Sequence, residues 1–273
     1  MRAMDKTYHA KLDILKDILS KMKHVLVAFS GGVDSTFLLR TAKDVLEDHV
    51  VAGTAFSETL SPSELDDAKA FTRAFGIEHV ILKSTEFDNP DFIKNDKNRC
   101  YHCKKEKFGL LMAYAAKNRI PVAMDGSNLD DRTDYRPGTK AATELGIRSP
   151  LVDAGMTKED IRFLSKEMGL STWNKPANAC LATRIPYSHP ITRDKLDAID
   201  RGERFLKNLG FRPCLRVRHH DTIARLEIDP GDMAFFSDDA FRQNMILYFK
   251  KLGFTYITLD IEGFQTGSMN KTL

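Results

Sequence analysis

The chain has 273 residues, 42% of them hydrophobic and 29% charged, with a formal net charge of +3. That is the composition of a globular protein long enough for two domains. The charge is too small to argue for nucleic acid as a partner, and no stretch approaches the apolar length of a membrane span. Residues 1–23 place charges among Leu12, Leu15, Ile18, Leu19 and Met22, the pattern of an amphipathic helix and not of a secretory signal. Cysteines in a chain without such a signal point to metal binding or catalysis in the cytoplasm, not to a disulfide scaffold.

The run Val25-Leu26-Val27-Ala28-Phe29 predicts a strand buried on both faces. It breaks at Ser30-Gly31-Gly32, and Phe37, Leu38, Leu39, Val45 and Leu46 predict a helix beyond. Two glycines at a strand-to-helix turn let backbone N–H groups approach a ligand closely. The start of the helix adds unpaired N–H groups and the positive end of its dipole, so an anion is favoured there. Ser30 and Ser35 contribute hydroxyls, and Asp34 is a carboxylate suited to a magnesium ion that bridges phosphates. The lysine of a Walker A loop is missing.

A second strand follows over 50–56. Ser61-Pro62-Ser63-Glu64 then supplies an N-cap, a proline at the first helical position and a capping-box acid. That helix should stop at Gly76. Residues 79–82 form a third strand, Leu110, Leu111, Ala115 and Ala116 fall on a helix, and 120–124 form a fourth strand. Strands alternating with helices predict an α/β fold with a doubly wound parallel sheet, whose ligands lie beyond the carboxyl ends of the strands. The glycine turn is at such an end, and so is Asp125-Gly126-Ser127-Asn128, so both should line one crevice. Asp130 belongs to that nucleotide site or caps a helix.

A helix over 157–168 closes at Gly169, and the stretch from Trp173 to Pro190, with three prolines and no periodicity, reads as a functional loop. The domain boundary falls in it, giving 1–175 as the nucleotide domain and 176–273 as a smaller C-terminal α+β domain. The latter reads as a helix over 193–209, strands over 215–217 and 223–228, a helix over 238–252 and a strand over 256–261. Arg216 and Arg218 alternate onto one face of a strand, which suits a bidentate grip on a substrate phosphate or a solvated face. No internal repeat or low-complexity segment interrupts the chain.

Cys100-Tyr101-His102-Cys103 has the spacing of a metal knuckle or a redox pair. A zinc site would need a fourth ligand from Cys214, His102, His219 or His220, whereas an iron–sulfur cluster can be held by cysteine thiolates, three of which would leave one iron open to a small sulfur ligand. Buried, inert thiols are the plain alternative, and the better one for Cys214, which lies in a predicted strand.

Ser30-Gly31-Gly32-Val33-Asp34-Ser35 matches the PP-loop of the ATP pyrophosphatases, which cleave ATP between its α and β phosphates and attach AMP to a substrate. Further motifs narrow the resemblance. They are Arg99-Cys100-Tyr-His-Cys103-Lys104, Asp125-Gly-Ser-Asn-x-Asp130-Asp131, Ser149-Pro-Leu151, Lys175-Pro-x-x-Ala-Cys180-Leu-Ala-Thr-Arg184, Arg216-Val-Arg218-His-His220 and Thr266-Gly-Ser-Met-Asn270. With these, nearly the whole chain resembles the LarE family, ATP-dependent sulfur transferases of lactate racemase cofactor synthesis.

The resemblance implies ATP and magnesium as cofactors. It implies as substrate a small nucleotide, pyridinium-3,5-biscarboxylic acid mononucleotide, one carboxylate of which is adenylated and then made a thiocarboxylate that later binds nickel. It implies a nucleotide site at Ala28, Ser30, Gly31, Gly32, Asp34, Ser35, Gly126 and Asp130, with magnesium at Asp34. Arg184, Arg216 and Arg218 would hold the substrate phosphate, and Glu203 and Glu227 would hold a metal or orient substrate unless they lie on solvated faces. In one branch of the family the position of Cys180 gives up its own sulfur and ends as dehydroalanine. In another, three cysteines hold a 4Fe–4S cluster with an extra sulfide. With Cys100 and Cys103 beside Cys180, this chain resembles the cluster branch, and sacrifice of Cys180 is the alternative. Lys175 and Arg184 are cations that would favour a thiolate. Family members form homo-oligomers.

Other classes compete. A tRNA thiolase also combines a PP-loop with cysteines, but should carry a basic surface. An ammonia-using adenylating synthetase needs no cysteine triad. A non-catalytic nucleotide-binding module leaves Cys180 and its loop unexplained.

Overall fold

A computed structural model describes residues 3–132, 137–176, 179–265 and 267–272. Within the motifs above, residues 177 and 178 of the cysteine loop and Thr266 lie outside the described residues. The chain divides into two compact units. The first comprises residues 1–89 and 100–178, and the second 90–99 and 179–273. The sequence pattern places one boundary, after residue 175. The units also group 90–99 with the second, because the Asn95 amide donates to the carbonyls of Pro186 (2.8 Å) and His189 (2.9 Å).

In the first unit, β1 (Val25–Ala28), β2 (Val50–Phe56), β3 (Glu78–Lys83) and β4 (Val122–Met124) form a parallel sheet in the order β3-β2-β1-β4. The central strand is apolar throughout because both its faces are covered. Val25 and Val27 pack with Phe37, Leu38 and Leu151 on one side, while Leu26 packs with Phe108, Leu111 and Ala123 on the other. The α/β class and parallel sheet expected from the alternating pattern are present. β4 is shorter than expected, since Pro121 has no N–H to give a ladder.

The helices sit where the caps put them. Val33–Leu46 follows β1, and Pro62–Ala74 follows β2 with proline at its start. Lys158–Glu167 opens on a capping box in which the Asp160 N–H donates to Thr157 Oγ1 (3.3 Å) and the Thr157 N–H to Asp160 Oδ2 (2.6 Å). Cys100 and Cys103 lie in the first turns of the helix Arg99–Lys117. The helices Pro137–Glu144 and Pro150–Asp153 carry too little periodicity to be read from sequence.

In the second unit, β5 (Arg216–His220) pairs antiparallel with β6 (Ile223–Glu227), which pairs parallel with β7 (Tyr256–Leu259). The helices Arg193–Asn208 and Asp239–Lys251 supply Leu206, Met245 and Phe249 to a core with Val217, Leu226 and Phe254. Cys214 does not belong to a strand, contrary to expectation. It follows Pro213 and precedes β5 by one residue, in irregular chain. Among the described residues, no helix is long and apolar enough to cross a membrane.

Phe249 is fully buried, while Leu247 on the same helix is 60% exposed. Phe249→Ala is therefore expected to lower stability by about 3–5 kcal/mol, and Leu247→Ala to change it by less than about 0.5 kcal/mol. Chemical denaturation of the two variants measures both.

Candidate functional site

Two sets of residues carry chemistry, one in each unit. In the first, β1 delivers the chain to the glycine turn. Gly31 takes a φ of +69°, in the left-handed region where a side chain is strained. Gly32 is the N-cap of Val33–Leu46 and supplies no side-chain cap, so the amide groups of that helix start face the turn uncapped by any side chain. Ser35 Oγ donates to the Gly32 carbonyl (3.2 Å) and lies 3.2 Å from Ser30 Oγ, which closes the loop into a ring. From outside, Lys175 Nζ donates to the Gly31 carbonyl (3.3 Å) and to Asp67 (3.2 Å).

The turn after β4 crosses the same helix start. A Cβ on Gly126 would fall 2.8 Å from Ser35 N and 3.0 Å from Ser35 Cα, so only glycine lets the two turns meet. Asp125 locks that turn, accepting from Ser127 Oγ (2.7 Å) and Ser149 Oγ (2.8 Å). Sequence topology places both turns at the carboxyl edge of the sheet, and the structure brings Gly126 and Ser35 together. Asp130 makes a capping contact, its carboxylate accepting from the Lys158 N–H at 2.8 Å. Asp34 forms an ion pair with Lys158, a cation that the sequence pattern does not single out.

Cys103 is tied to the short turn Glu86–Asp88 that follows β3. Its thiol donates to Glu86 Oε2 at 3.1 Å. Glu86 is fully buried and also accepts from Ser57 Oγ (2.5 Å), Thr59 Oγ1 (2.8 Å) and Lys107 Nζ (3.1 Å). Ser57 follows the last residue of β2, so this network lies at the same sheet edge as the glycine turn. Cys100 and Cys103 stand one helical turn apart and share a helix face. None of the four cysteines is in a disulfide. Among the described residues, no group of three or more His, Cys, Asp and Glu side chains is placed to hold a metal ion.

The second unit holds Cys180 at the start of the short turn Leu181–Arg184, and buried guanidinium groups hold that turn. Arg184, 3% exposed, donates to the carbonyl of Cys180 (3.1 Å) and through Nε to Glu203 (2.8 Å). Arg218 donates to the Thr183 carbonyl (3.2 Å) and to Glu227 (2.6 Å). Arg99 donates to the Ala182 carbonyl (3.1 Å). Arg216 and Arg218 do share one strand face, and it is buried, not solvated. Glu203 and Glu227 are also buried, each against arginine.

Burial alone would raise the Glu203 carboxyl, but the charge and hydrogen bonds of Arg184 outweigh it and hold it below the usual carboxylate range. Burial, followed by repulsion from Arg184, lowers Arg216 to about 10. Burial and nearby Lys195 lower His219 to about 4. Its ring packs on Phe254 with centroids 4.9 Å apart, and its Nδ1 is buried without a partner.

The NAD synthase family model matches residues 7–118. An uncharacterized protein of Synechocystis sp. is 40% identical over 264 residues, covering 97% of this chain and 98% of that protein. Pyridinium-3,5-bisthiocarboxylic acid mononucleotide synthase of Lactiplantibacillus plantarum is 39% identical over 272 residues, covering 98% of this chain and 96% of the enzyme. An uncharacterized protein of Methanocaldococcus jannaschii is 30% identical over 244 residues, covering 89% of this chain and 91% of that protein.

Two outcomes follow from the geometry. Gly126→Ala pushes backbone against backbone and is expected to weaken ATP binding by about tenfold or more, measured by titration calorimetry. His219 stays neutral in the fold down to about pH 4, whereas in the unfolded chain it protonates near its ordinary value of 6.5. Between those values the unfolded state binds more protons, so stability falls as pH falls through that window. His219→Asn should flatten this dependence in denaturation curves taken at pH 7 and pH 5.

Proposed function

The chain belongs to the LarE family, that of pyridinium-3,5-bisthiocarboxylic acid mononucleotide synthase, and on that premise we propose that it is an ATP-dependent sulfur transferase. It adenylates a carboxylate of pyridinium-3,5-biscarboxylic acid mononucleotide and replaces one carboxylate oxygen by sulfur. The thiocarboxylate product is destined for a nickel-pincer cofactor.

A carboxylate is a poor electrophile at neutral pH. Attack of its oxygen on the α-phosphorus of ATP expels pyrophosphate and leaves a mixed anhydride with AMP. Sulfur attacks the anhydride carbon, a C–S bond forms, and AMP departs with the C–O electron pair. The glycine turn suits the first step, because fixed amide groups and the hydroxyls of Ser30 and Ser35 meet phosphate oxygens without reorganising. Asp34 would hold magnesium, which neutralises phosphate charge when bound. Gly126 and Asp130 keep the second turn against this loop, and Ala28 presents its backbone at the strand end.

The observation that carries the reading beyond nucleotide binding is the guanidinium clamp on the Cys180 turn. Arg184, braced by Glu203, grips the Cys180 carbonyl, and a cation kept beside Cys180 would favour its thiolate as the nucleophile. Arg216 and Arg218, the latter braced by Glu227, supply cations for the substrate phosphate. Thiolate donors suit iron–sulfur chemistry; Cys100 and Cys103 share one helix face and would be two ligands of a 4Fe–4S cluster, with Cys180 the third as the family resemblance implies. Such a group would supply a transferable sulfide when bound. Sacrifice of the Cys180 sulfur is the competing source. We place the enzyme in the cytoplasm as a homo-oligomer, as its family suggests.

The test uses anaerobically purified protein with ATP, magnesium and the biscarboxylic nucleotide. Wild-type protein is expected to give pyrophosphate, AMP and the thiocarboxylate. Cys180→Ser is expected to lose the thiocarboxylate. Loss of one hydrogen sulfide from Cys180 after turnover identifies sacrifice. A Mössbauer cluster signal lost in Cys100→Ala identifies the cluster. Sulfuration of tRNA in place of the nucleotide, or full thiocarboxylate yield from Cys180→Ser, would contradict the proposal.

A further inference from the structure

The glycine turn lacks the lysine with which a Walker loop reaches the outer phosphates of a nucleotide, yet the fold brings a lysine to it from 124 residues away. Lys158 Nζ is ion-paired with Asp34 Oδ2 in the first turn of the helix that follows the glycines. The other oxygen of Asp34, Oδ1, is buried without a partner. The carboxylate that would take magnesium is therefore held on one side by a cation and left unsatisfied on the other.

The backbone beneath Lys158 is fixed. Its N–H donates to Asp130 at 2.8 Å, and the Thr157–Asp160 capping box brackets it. Its side chain is 31% exposed. A lysine carries its charge on a flexible four-carbon stem, so Nζ can change partners while the helix stays in place.

We propose that Lys158 is the phosphate-binding lysine of this site, and that it exchanges partners on loading. In the nucleotide-free protein it neutralises Asp34. When magnesium-bound ATP arrives, the metal takes Asp34 and Lys158 turns to the β- and γ-phosphate oxygens. Every charge stays paired through the exchange, which matters because an unpaired charge in a partly buried site is costly. No bond is made or broken. Asp130 thereby gains a positioning role, since it anchors the lysine's backbone and need not touch nucleotide. The inference rests on the reading of the turn as an ATP site and adds to it the residue that selects triphosphate over monophosphate.

Titration calorimetry of wild type, Lys158→Gln and Lys158→Arg with magnesium-ATP and with AMP tests this, together with manganese binding to nucleotide-free protein followed by electron paramagnetic resonance. Loss of a charged contact predicts that Lys158→Gln binds ATP about 10- to 100-fold more weakly. AMP affinity should stay within about twofold of wild type, since AMP has no outer phosphates to lose. Lys158→Arg, which keeps the charge, should recover most of the ATP affinity. Manganese alone should bind Lys158→Gln more tightly than wild type, because the competing cation is gone. Unchanged ATP affinity in Lys158→Gln, or equal loss of ATP and AMP, overturns the phosphate role. Unchanged manganese affinity overturns the exchange. A wild-type protein that binds AMP but not ATP, or neither, overturns the ATP reading itself, an outcome distinct from any failure confined to the variants.

Discussion

Covering β1 on both faces is the constraint from which the geometry of the glycine turn follows. With Val25 and Val27 buried on one side and Leu26 on the other, the strand cannot slip or tilt without exposing core. The residues that leave its carboxyl end are therefore fixed in space before any ligand binds. The turn needs that support, because Gly31 in a left-handed conformation and an uncapped helix start contribute little stability of their own. Gly126 then fits against Ser35 at a distance no other residue would allow. Preorganisation of amide groups for phosphate is thus a consequence of core packing next door.

The second unit solves a different problem by a different route. Its cysteine-bearing turn is short and irregular, and burial of Leu181 and Ala182 does not by itself fix the carbonyls of that turn. Buried arginines do so instead, each needing a carboxylate to be tolerated there. Arg184 is held by Glu203, and Arg218 by Glu227, which also accepts from Arg225 (3.0 Å) and Ser268 (2.7 Å). Arg184 spends a remaining donor on the Cys180 carbonyl and Arg218 on that of Thr183, while Arg99, which also donates to the Asn95 side chain, reaches the Ala182 carbonyl. One arrangement therefore fixes the carbonyls of the turn that bears Cys180. Removing either glutamate would strand a buried cation, so the acids are bound to the loop's geometry whatever else they touch.

What could be read from the sequence was what lies close together in it. Ser30 to Ser35 announce themselves because strand, glycines and helix are contiguous, and Thr157 with Asp160 mark a helix start for the same reason. The parallel sheet followed from alternation. What escaped depends on long separations. Lys158 reads as an ordinary first-turn residue until the fold carries it to Asp34. Glu86 reads as one more loop acid, although it is fully buried and gathers Ser57, Thr59, Cys103 and Lys107. Glu203 sits on the helix Arg193–Asn208 in line with the buried Leu196, Ile199 and Leu206, so helical spacing marks its burial, but not its partner Arg184. Cys214 stands beside the apolar run that predicts a strand, yet the ladder begins only at Arg216 and leaves it in irregular chain.

The account stands on acyl activation by AMP, and oxygen labelling tests it most directly. The biscarboxylic nucleotide is prepared with its carboxylates carrying oxygen-18 and turned over with unlabelled ATP. Attack of carboxylate oxygen on the α-phosphorus requires each AMP released to carry one labelled oxygen. Unlabelled AMP, or release of ADP in its place, would contradict adenylation of the substrate and with it the function assigned to the glycine turn.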